Sequence, residues 1–132
     1  MRFIGERERF APDMRESMRD AEERTAHNTQ MALWICLSYG GRAEITAAAR
    51  QVAQSGESIT DESLRASMWS AEMPDPDIII RPGGEKRLSN FLLWQVAYSE
   101  LFFVDAYWPE FDAAALDAVL AEYAQRERRR GK

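Results

Sequence analysis

Cysteine and histidine, two residue types common at catalytic sites, occur only once each among the 132 residues of this chain. Cys36 lies inside an apolar run, which favours a buried small apolar side chain over a catalytic thiol and suits a reducing cytosol. His27 falls where a helix is predicted to end, so a capping or dipole role is favoured over catalysis. Neither residue therefore points to thiol or histidine chemistry.

Long apolar runs, internal repeats and low-complexity segments are also missing. No run approaches the roughly 20 apolar residues that span a bilayer, so we expect no membrane helix. Charged residues come directly after residues 1–5, so we expect no signal peptide. The net charge of −5, from 17 basic and 22 acidic residues, does not indicate a nucleic-acid-binding protein. With 45% apolar and 11% aromatic residues, the sequence predicts a soluble, globular protein with a single domain over residues 1–132.

Apolar runs alternate with amphipathic stretches along the chain. This alternation predicts an α/β fold with a parallel sheet flanked by helices on both faces. The predicted strands are residues 2–5, 31–37, 77–80 and 101–104. Five helices are predicted. The first runs from Pro12 to about residue 28, and the second has an apolar stripe from Ile45 to Val52 and ends near Gly56. The third runs from the Thr60 cap to Trp69, the fourth from Asn90 to Tyr98, and the fifth begins at the Asp112 cap.

The segment after the third predicted strand carries the clearest functional pattern, in which Arg81 and Arg87 flank Gly83 and Gly84 and a hydroxyl, Ser89, follows. Arg81 is predicted at the carboxyl end of its strand, the edge where open α/β sheets bind ligands. Glycines there would let backbone amides approach an anion, and arginine can donate two hydrogen bonds to one phosphate. The pattern therefore predicts a phosphate or diphosphate site.

Other interpretations of these residues stay open on the sequence alone. An ion pair between Arg87 and Glu85 accounts for the charges equally well. Ser89 or Asn90 also fits the N-cap of the helix predicted to follow, whose N-terminus would favour a bound anion. A second glycine turn, residues 39–42, is interpreted as a tight strand-to-helix connection rather than a ligand site.

The segment 77–111 closely resembles the cis-prenyltransferases, the undecaprenyl diphosphate synthase family. It contains Ile80-Arg81, Gly84-Glu85, Arg87, the run 89–95, Ala97-Tyr98, Glu100-Leu101 and Trp108-Pro109. The resemblance extends from residues 2–5 through the glycine turn at 39–42 to a basic tail, residues 124–132. It covers the C-terminal half of the family only, so we expect a chain of an isoprenyl transferase fold that is incomplete, truncated at the N-terminus.

The resemblance implies a transferase of isoprenoid biosynthesis that condenses isopentenyl diphosphate with an allylic diphosphate, giving a polyprenyl diphosphate such as undecaprenyl diphosphate. It implies that Arg81, Arg87 and Ser89 bind the diphosphate of isopentenyl diphosphate and that Leu88 contributes its backbone. Glu100 matches a glutamate that helps to bind Mg²⁺ in the family. Pro82 replaces the threonine or serine that is common in this motif. No catalytic residue is expected in this chain.

The resemblance also implies a cytoplasmic homodimer that can associate loosely with membranes. The family's metal-binding aspartate and the arginines that hold the allylic diphosphate have no counterpart in the sequence, so we expect the isolated chain to have no turnover. Two alternatives remain. One is a non-catalytic partner subunit that donates the isopentenyl diphosphate site to another chain, and the other is a small α/β phosphate-binding module.

Overall fold

The computed structural model describes residues 1–126, and the chain divides into two compact units, residues 1–73 (unit 1) and 74–132 (unit 2). Most of the predicted basic tail, residues 124–132, lies outside the described residues. The single domain stays a prediction.

Unit 1 is built around two parallel strands and three helices. Strands β1 (Arg2–Ile4) and β2 (Trp34–Cys36) pair with Phe3 opposite Ile35. Helix α1 (Pro12–Thr25) connects them, because parallel strands need a crossover. Helices α2 (Gly41–Ser55) and α3 (Asp61–Ala66) follow, and a short 3₁₀ turn (Arg7–Arg9) precedes α1. The buried apolar side chains of this unit are Ile4, Met18, Ala48, Val52, Met68 and Met73.

Local sequence signals account for the helix ends in unit 1. Pro12 occupies the first turn of α1, where its missing N–H leaves no helical hydrogen bond unmade. Gly56, with φ +77°, ends α2 in the left-handed conformation that glycine tolerates best. The N-terminus of α3 is a capping box, in which Ser63 N donates to Thr60 Oγ1 at 3.1 Å and Thr60 N donates to Ser63 Oγ at 2.9 Å.

Glu22 ties α1 to the first strand by a hydrogen bond and to the 3₁₀ turn by an ion pair. Glu22 Oε1 accepts hydrogen bonds from Phe3 N at 2.8 Å and from Arg7 Nη2 at 2.5 Å, and Glu22 Oε2 accepts from Arg7 Nη1 at 2.9 Å. The hydrogen bonds from Arg7 are the main reason that the pKa of Glu22 lies below its ordinary value. The folded state therefore favours the ionised carboxylate.

Acidification is expected to destabilise unit 1 through Glu22. Because the folded-state pKa is lowered, the stabilisation is complete above the ordinary carboxyl pKa of 4.5 and is lost as the pH falls through the folded value. Urea unfolding between pH 7 and pH 3 should show a shallower loss of stability for Glu22→Gln than for the natural chain, by about 1 kcal/mol. Glu23→Gln, at an exposed position on the same helix, should follow the natural chain. Parallel curves for Glu22→Gln and the natural chain would contradict the prediction.

Unit 2 contains the second parallel strand pair and the last helix. Strands β3 (Ile78–Pro82) and β4 (Glu100–Val104) pair with Ile80 opposite Phe102. A 3₁₀ turn (Trp108–Glu110) leads to helix α4 (Ala113–Gln125), whose first turn is capped by Asp112 Oδ1 accepting from Ala115 N at 2.9 Å. The buried apolar side chains of this unit are Leu92, Val96, Phe102 and Val119.

The helix predicted from Asn90 to Tyr98 is wrong, because this segment forms consecutive turns. Ser89, Asn90 and Leu92 have φ angles of +49°, +68° and +47°, and left-handed backbone at these positions cannot continue into a right-handed helix. The periodic apolar pattern has another cause, since Leu92 and Val96 are both buried and are joined by a turn hydrogen bond from Val96 N to Leu92 O of 3.1 Å. Ser89 and Asn90 therefore do not cap a helix, and no helix N-terminus contributes to the loop.

The predicted α/β fold of parallel strands and helices is confirmed, with hydrogen bonds that form two two-stranded sheets. The strand predicted over residues 31–37 is shorter than expected, because Met31 and Leu33 lie exposed before β2 begins. Within residues 1–126, no helix combines the length and the apolar character that crossing a membrane requires.

Candidate functional site

Arg81 organises the loop that follows β3. It is the penultimate residue of that strand, and its Nη1 donates to Arg87 O at 2.6 Å and to Ser89 Oγ at 3.0 Å. One guanidinium thus holds two points of the loop that are six and eight residues further along the chain. Three of the residues predicted to bind substrate are brought together in this way.

Arg87 is more exposed than Arg81 and forms an ion pair with Glu85 within the same loop. The side chain of Arg87 is 62% exposed and that of Glu85 is 49% exposed. The ion pair that the sequence left as an alternative is therefore present.

An open cavity of about 330 Å³ lies against β3 and this loop. Arg81 and Arg87 both line it. The other lining residues are apolar: Ile78, Ile79, Ile80, Pro82, Leu88 and Phe91. Leu88, for which the family resemblance implies a backbone contribution, also borders the cavity. The cavity therefore combines two cationic residues with six apolar ones.

The glycine pair closes a turn and does not present its amides to an anion, so that part of the sequence interpretation is wrong. Gly83 N donates to Ala106 O and Gly84 N donates to Val104 O, both at 2.9 Å. Their φ angles of +97° and +73° are the reason that glycine is needed at both positions. These two bonds set the path of the loop, and its positive charge comes from the side chains of Arg81 and Arg87.

Glu100, the predicted metal ligand, lies at the other end of the strand pair. It is the first residue of β4 and faces Ile78, whereas Arg81 faces Phe103. Three residues along parallel strands correspond to about 10 Å, so the backbone of Glu100 lies about that far along the strands from Arg81.

The Glu100 carboxylate is held by the residue that follows α4. Arg126 Nη1 donates to Glu100 Oε2 at 2.7 Å, and Arg126 Nη2 donates to Glu122 Oε1 at 2.6 Å. The same guanidinium lies 4.0 Å from the ring centroid of Phe102. Glu100 therefore fastens the end of α4 to the start of β4.

The described residues do not fit a Mg²⁺ site by themselves. Mg²⁺ is held by oxygen ligands, usually one or two carboxylates with water and substrate phosphate. Among residues 1–126, no three His, Cys, Asp or Glu side chains converge, and the carboxylate of Glu100 is already paired with Arg126.

The second glycine turn leads to a buried carboxylate that the sequence analysis did not single out. Glu44 is fully buried, and its Oε2 accepts from Tyr39 Oη at 2.6 Å while its Oε1 accepts from Ser70 N at 2.8 Å. This carboxylate joins the turn after β2 to the segment after α3, which agrees with a structural role for residues 39–42. Arg42 also lines an open cavity of about 360 Å³ with Arg50 and Trp69.

Cys36 lies on β2 and is half-buried. Burial, with a smaller contribution from Glu44, raises the pKa of its thiol. A thiol that holds its proton is a poor nucleophile, which agrees with the sequence interpretation of Cys36.

Comparison with known proteins identifies the family. The model of the family described as "Putative undecaprenyl diphosphate synthase" matches residues 1–131. A ditrans,polycis-undecaprenyl-diphosphate synthase of Xanthomonas axonopodis pv. citri is 48% identical over an alignment that covers 99% of this chain and 54% of that protein. An isoprenyl transferase of Neisseria gonorrhoeae is 46% identical, with coverage of 100% and 54%.

Two solved structures are similar throughout this chain. A probable undecaprenyl diphosphate synthase from Campylobacter jejuni has a TM-score of 0.90 at 34% identity and covers 99% of this chain and 62% of its own. Lavandulyl diphosphate synthase from Lavandula x intermedia, solved with dimethylallyl diphosphate, has a TM-score of 0.93 at 32% identity, with coverage of 99% and 59%. The chain spans about half the length of the curated relatives it matches. It belongs to the undecaprenyl diphosphate synthase family of prenyltransferases.

Proposed function

We propose that this chain carries the isopentenyl diphosphate site of a cis-prenyltransferase, with Arg81, Arg87 and Ser89 as the groups that hold the diphosphate. The observation that carries the proposal is that both arginines line the same cavity as several apolar residues. The product of the whole protein would be a polyprenyl diphosphate such as undecaprenyl diphosphate.

The shape of the substrate supports this assignment. Isopentenyl diphosphate has a charged head and a five-carbon apolar tail, and the cavity offers two cations beside Ile79, Leu88 and Phe91. Arginine keeps its charge at any physiological pH and donates a planar pair of hydrogen bonds, so two arginines suit the two phosphoryl groups. The apolar residues that line the cavity would remove the five-carbon tail of the substrate from water.

Ser89 has a hydrogen-bonding role that fits the same ligand. Its Oγ accepts from Arg81, which leaves the hydroxyl hydrogen free to donate to a phosphate oxygen. The backbone of Ser89 is left-handed, with a φ of +49°.

The proposed reaction is elongation of an allylic diphosphate. The allylic C–O bond ionises, the double bond of isopentenyl diphosphate attacks the resulting carbocation, and a proton is lost to leave a new cis double bond. In this scheme Arg81, Arg87 and Ser89 hold the nucleophile in position, which is an orientation effect and requires no shifted pKa.

Mg²⁺ dependence is part of the proposal for the whole protein only. The family implies a metal cofactor, and bound Mg²⁺ would neutralise charge on a departing diphosphate. Glu100 is the residue of this chain proposed as a metal ligand. Its carboxylate would first have to break its ion pair with Arg126, and further ligands would have to come from groups other than residues 1–126. A homodimer and a cytoplasmic location also stay predictions.

The isolated 132-residue chain is expected to give no product from farnesyl diphosphate and isopentenyl diphosphate. It spans about half of its curated relatives, and Glu100 is engaged by Arg126. A radiolabel incorporation assay with Mg²⁺ measures this directly. Sustained product from the chain alone would contradict the division of roles proposed here, whereas product only after a second polypeptide is added would favour the partner-subunit alternative.

The binding proposal is tested by titrating isopentenyl diphosphate into the chain and its Arg87→Ala variant. Loss of one charge-assisted contact should weaken binding by roughly tenfold or more. Lys86→Ala is the matched control, because it removes a neighbouring positive charge from the same loop without altering a residue that lines the cavity. Equal affinities for Arg87→Ala and the natural chain would remove Arg87 from the site.

A further inference from the structure

The two arginines of the cavity have different electrostatic surroundings. Arg81 donates to two neutral acceptors, the carbonyl oxygen of Arg87 and the hydroxyl oxygen of Ser89, and neither acceptor compensates its positive charge. Arg87 instead forms an ion pair with the carboxylate of Glu85, two residues before it in the loop. Glu85 does not line the cavity, whereas Arg87 does.

We propose that Glu85 is an internal competitor for Arg87, which an incoming diphosphate displaces from the guanidinium. The inference rests on the proposed function for the class of ligand. Arg81 would act as a fixed anchor with its charge available, and Arg87 would act as a second cation that becomes available only when Glu85 moves away. Glu85 then sets the affinity of the loop for the ligand without touching it.

The exposure of the pair makes this exchange physically reasonable. With side chains 49% and 62% exposed, Glu85 and Arg87 form a contact of the kind that contributes little to stability and breaks readily. A diphosphate carries more charge than one carboxylate and offers several oxygens to the planar guanidinium, so it should win the exchange. The free energy needed to separate Glu85 from Arg87 would still weaken the binding of the diphosphate.

The test is a double-mutant cycle read by isothermal titration with inorganic pyrophosphate, which carries the diphosphate group alone. Glu85→Gln should bind pyrophosphate roughly two- to fivefold more tightly than the natural chain, the range expected for removing one exposed ion pair. The gain should vanish when Arg87→Ala is also present, because no guanidinium remains to be released. Asp117→Asn is the matched control, since it removes one negative charge from the exposed surface of α4 in the same unit and should leave the affinity unchanged.

The outcomes separate this inference from the proposed function. If Arg87→Ala weakens pyrophosphate binding but Glu85→Gln leaves it unchanged, the site stands and the competition is overturned. If Glu85→Gln weakens binding, Glu85 orients Arg87 for the ligand, which also overturns it. If Arg87→Ala alone has no effect, both the proposed site and the inference fail. Circular dichroism of each variant checks that the fold is unchanged.

Discussion

Isopentenyl diphosphate binding is expected to weaken by about a hundredfold when Arg81 is replaced by alanine. Two losses combine in this variant. The cavity loses the guanidinium of Arg81, whose positive charge is not compensated by its neutral hydrogen-bond acceptors. The loop loses the two hydrogen bonds that hold Arg87 O and Ser89 Oγ near β3. A contact to a charged group contributes about 1.5–3 kcal/mol, so the direct loss alone accounts for most of the effect.

The measurement is the same calorimetric titration, with two companion variants. Arg81→Lys keeps the positive charge but loses the planar fork, so its affinity should fall between those of the natural chain and Arg81→Ala. Arg50→Ala removes an exposed arginine of unit 1 that lines a different cavity, and it should bind normally. Affinity of Arg81→Ala within threefold of the natural chain would show that the diphosphate does not bind at this cavity.

The grouping of Arg81, Arg87 and Ser89 could be predicted from the sequence because it depends on local features. A β-branched run places Arg81 near a strand end, and a glycine pair turns the chain back within a few residues. Short-range turn chemistry of this kind is readable from residue types. The local pattern alone does not decide whether these arginines bind a phosphate or form an ion pair within the loop. The family resemblance is what indicates a diphosphate ligand.

The features that sequence reasoning missed depend on partners distant in the chain. Glu100 and Arg126 are 26 residues apart, and no local pattern shows that the carboxylate meets a guanidinium. The glycine N–H groups donate to carbonyl oxygens at the carboxyl end of β4, those of Val104 and Ala106, about 20 residues further along the chain. The segment after Ser89 has helical periodicity, yet Asn90 and Leu92 have left-handed backbone, and Leu92 and Val96 are buried within consecutive turns.

Glu44 illustrates which part of a missed feature was readable. It lies one helical turn before Ala48 and two before Val52, and all three are buried on one stripe of α2. Helical periodicity alone therefore indicates that this carboxylate faces the core. The identity of its partners is not readable in the same way, since Ser70 is 26 residues further along the chain.

Replacing Glu44 with alanine is expected to lower the free energy of unfolding of unit 1 by about 3 kcal/mol. The carboxylate accepts from Tyr39 Oη and from Ser70 N, and it is fully buried. Removing it takes an acceptor from two donors, at roughly 1–3 kcal/mol for each buried group that loses its partner, and leaves a cavity as well. The turn after β2 and the segment after α3 would then lose their common anchor.

Two companion variants make this expectation specific. Glu44→Gln keeps a carbonyl oxygen for Ser70 N in a side chain of the same size, so it should lose clearly less stability than Glu44→Ala. Gln51→Ala, at an exposed position on the same helix, should change stability by less than about 0.5 kcal/mol. Urea unfolding followed by far-ultraviolet circular dichroism gives the three values. A Glu44→Ala variant as stable as Gln51→Ala would show that the buried carboxylate does not anchor unit 1, because removing an acceptor from the core leaves its two donors, Tyr39 Oη and Ser70 N, without that partner.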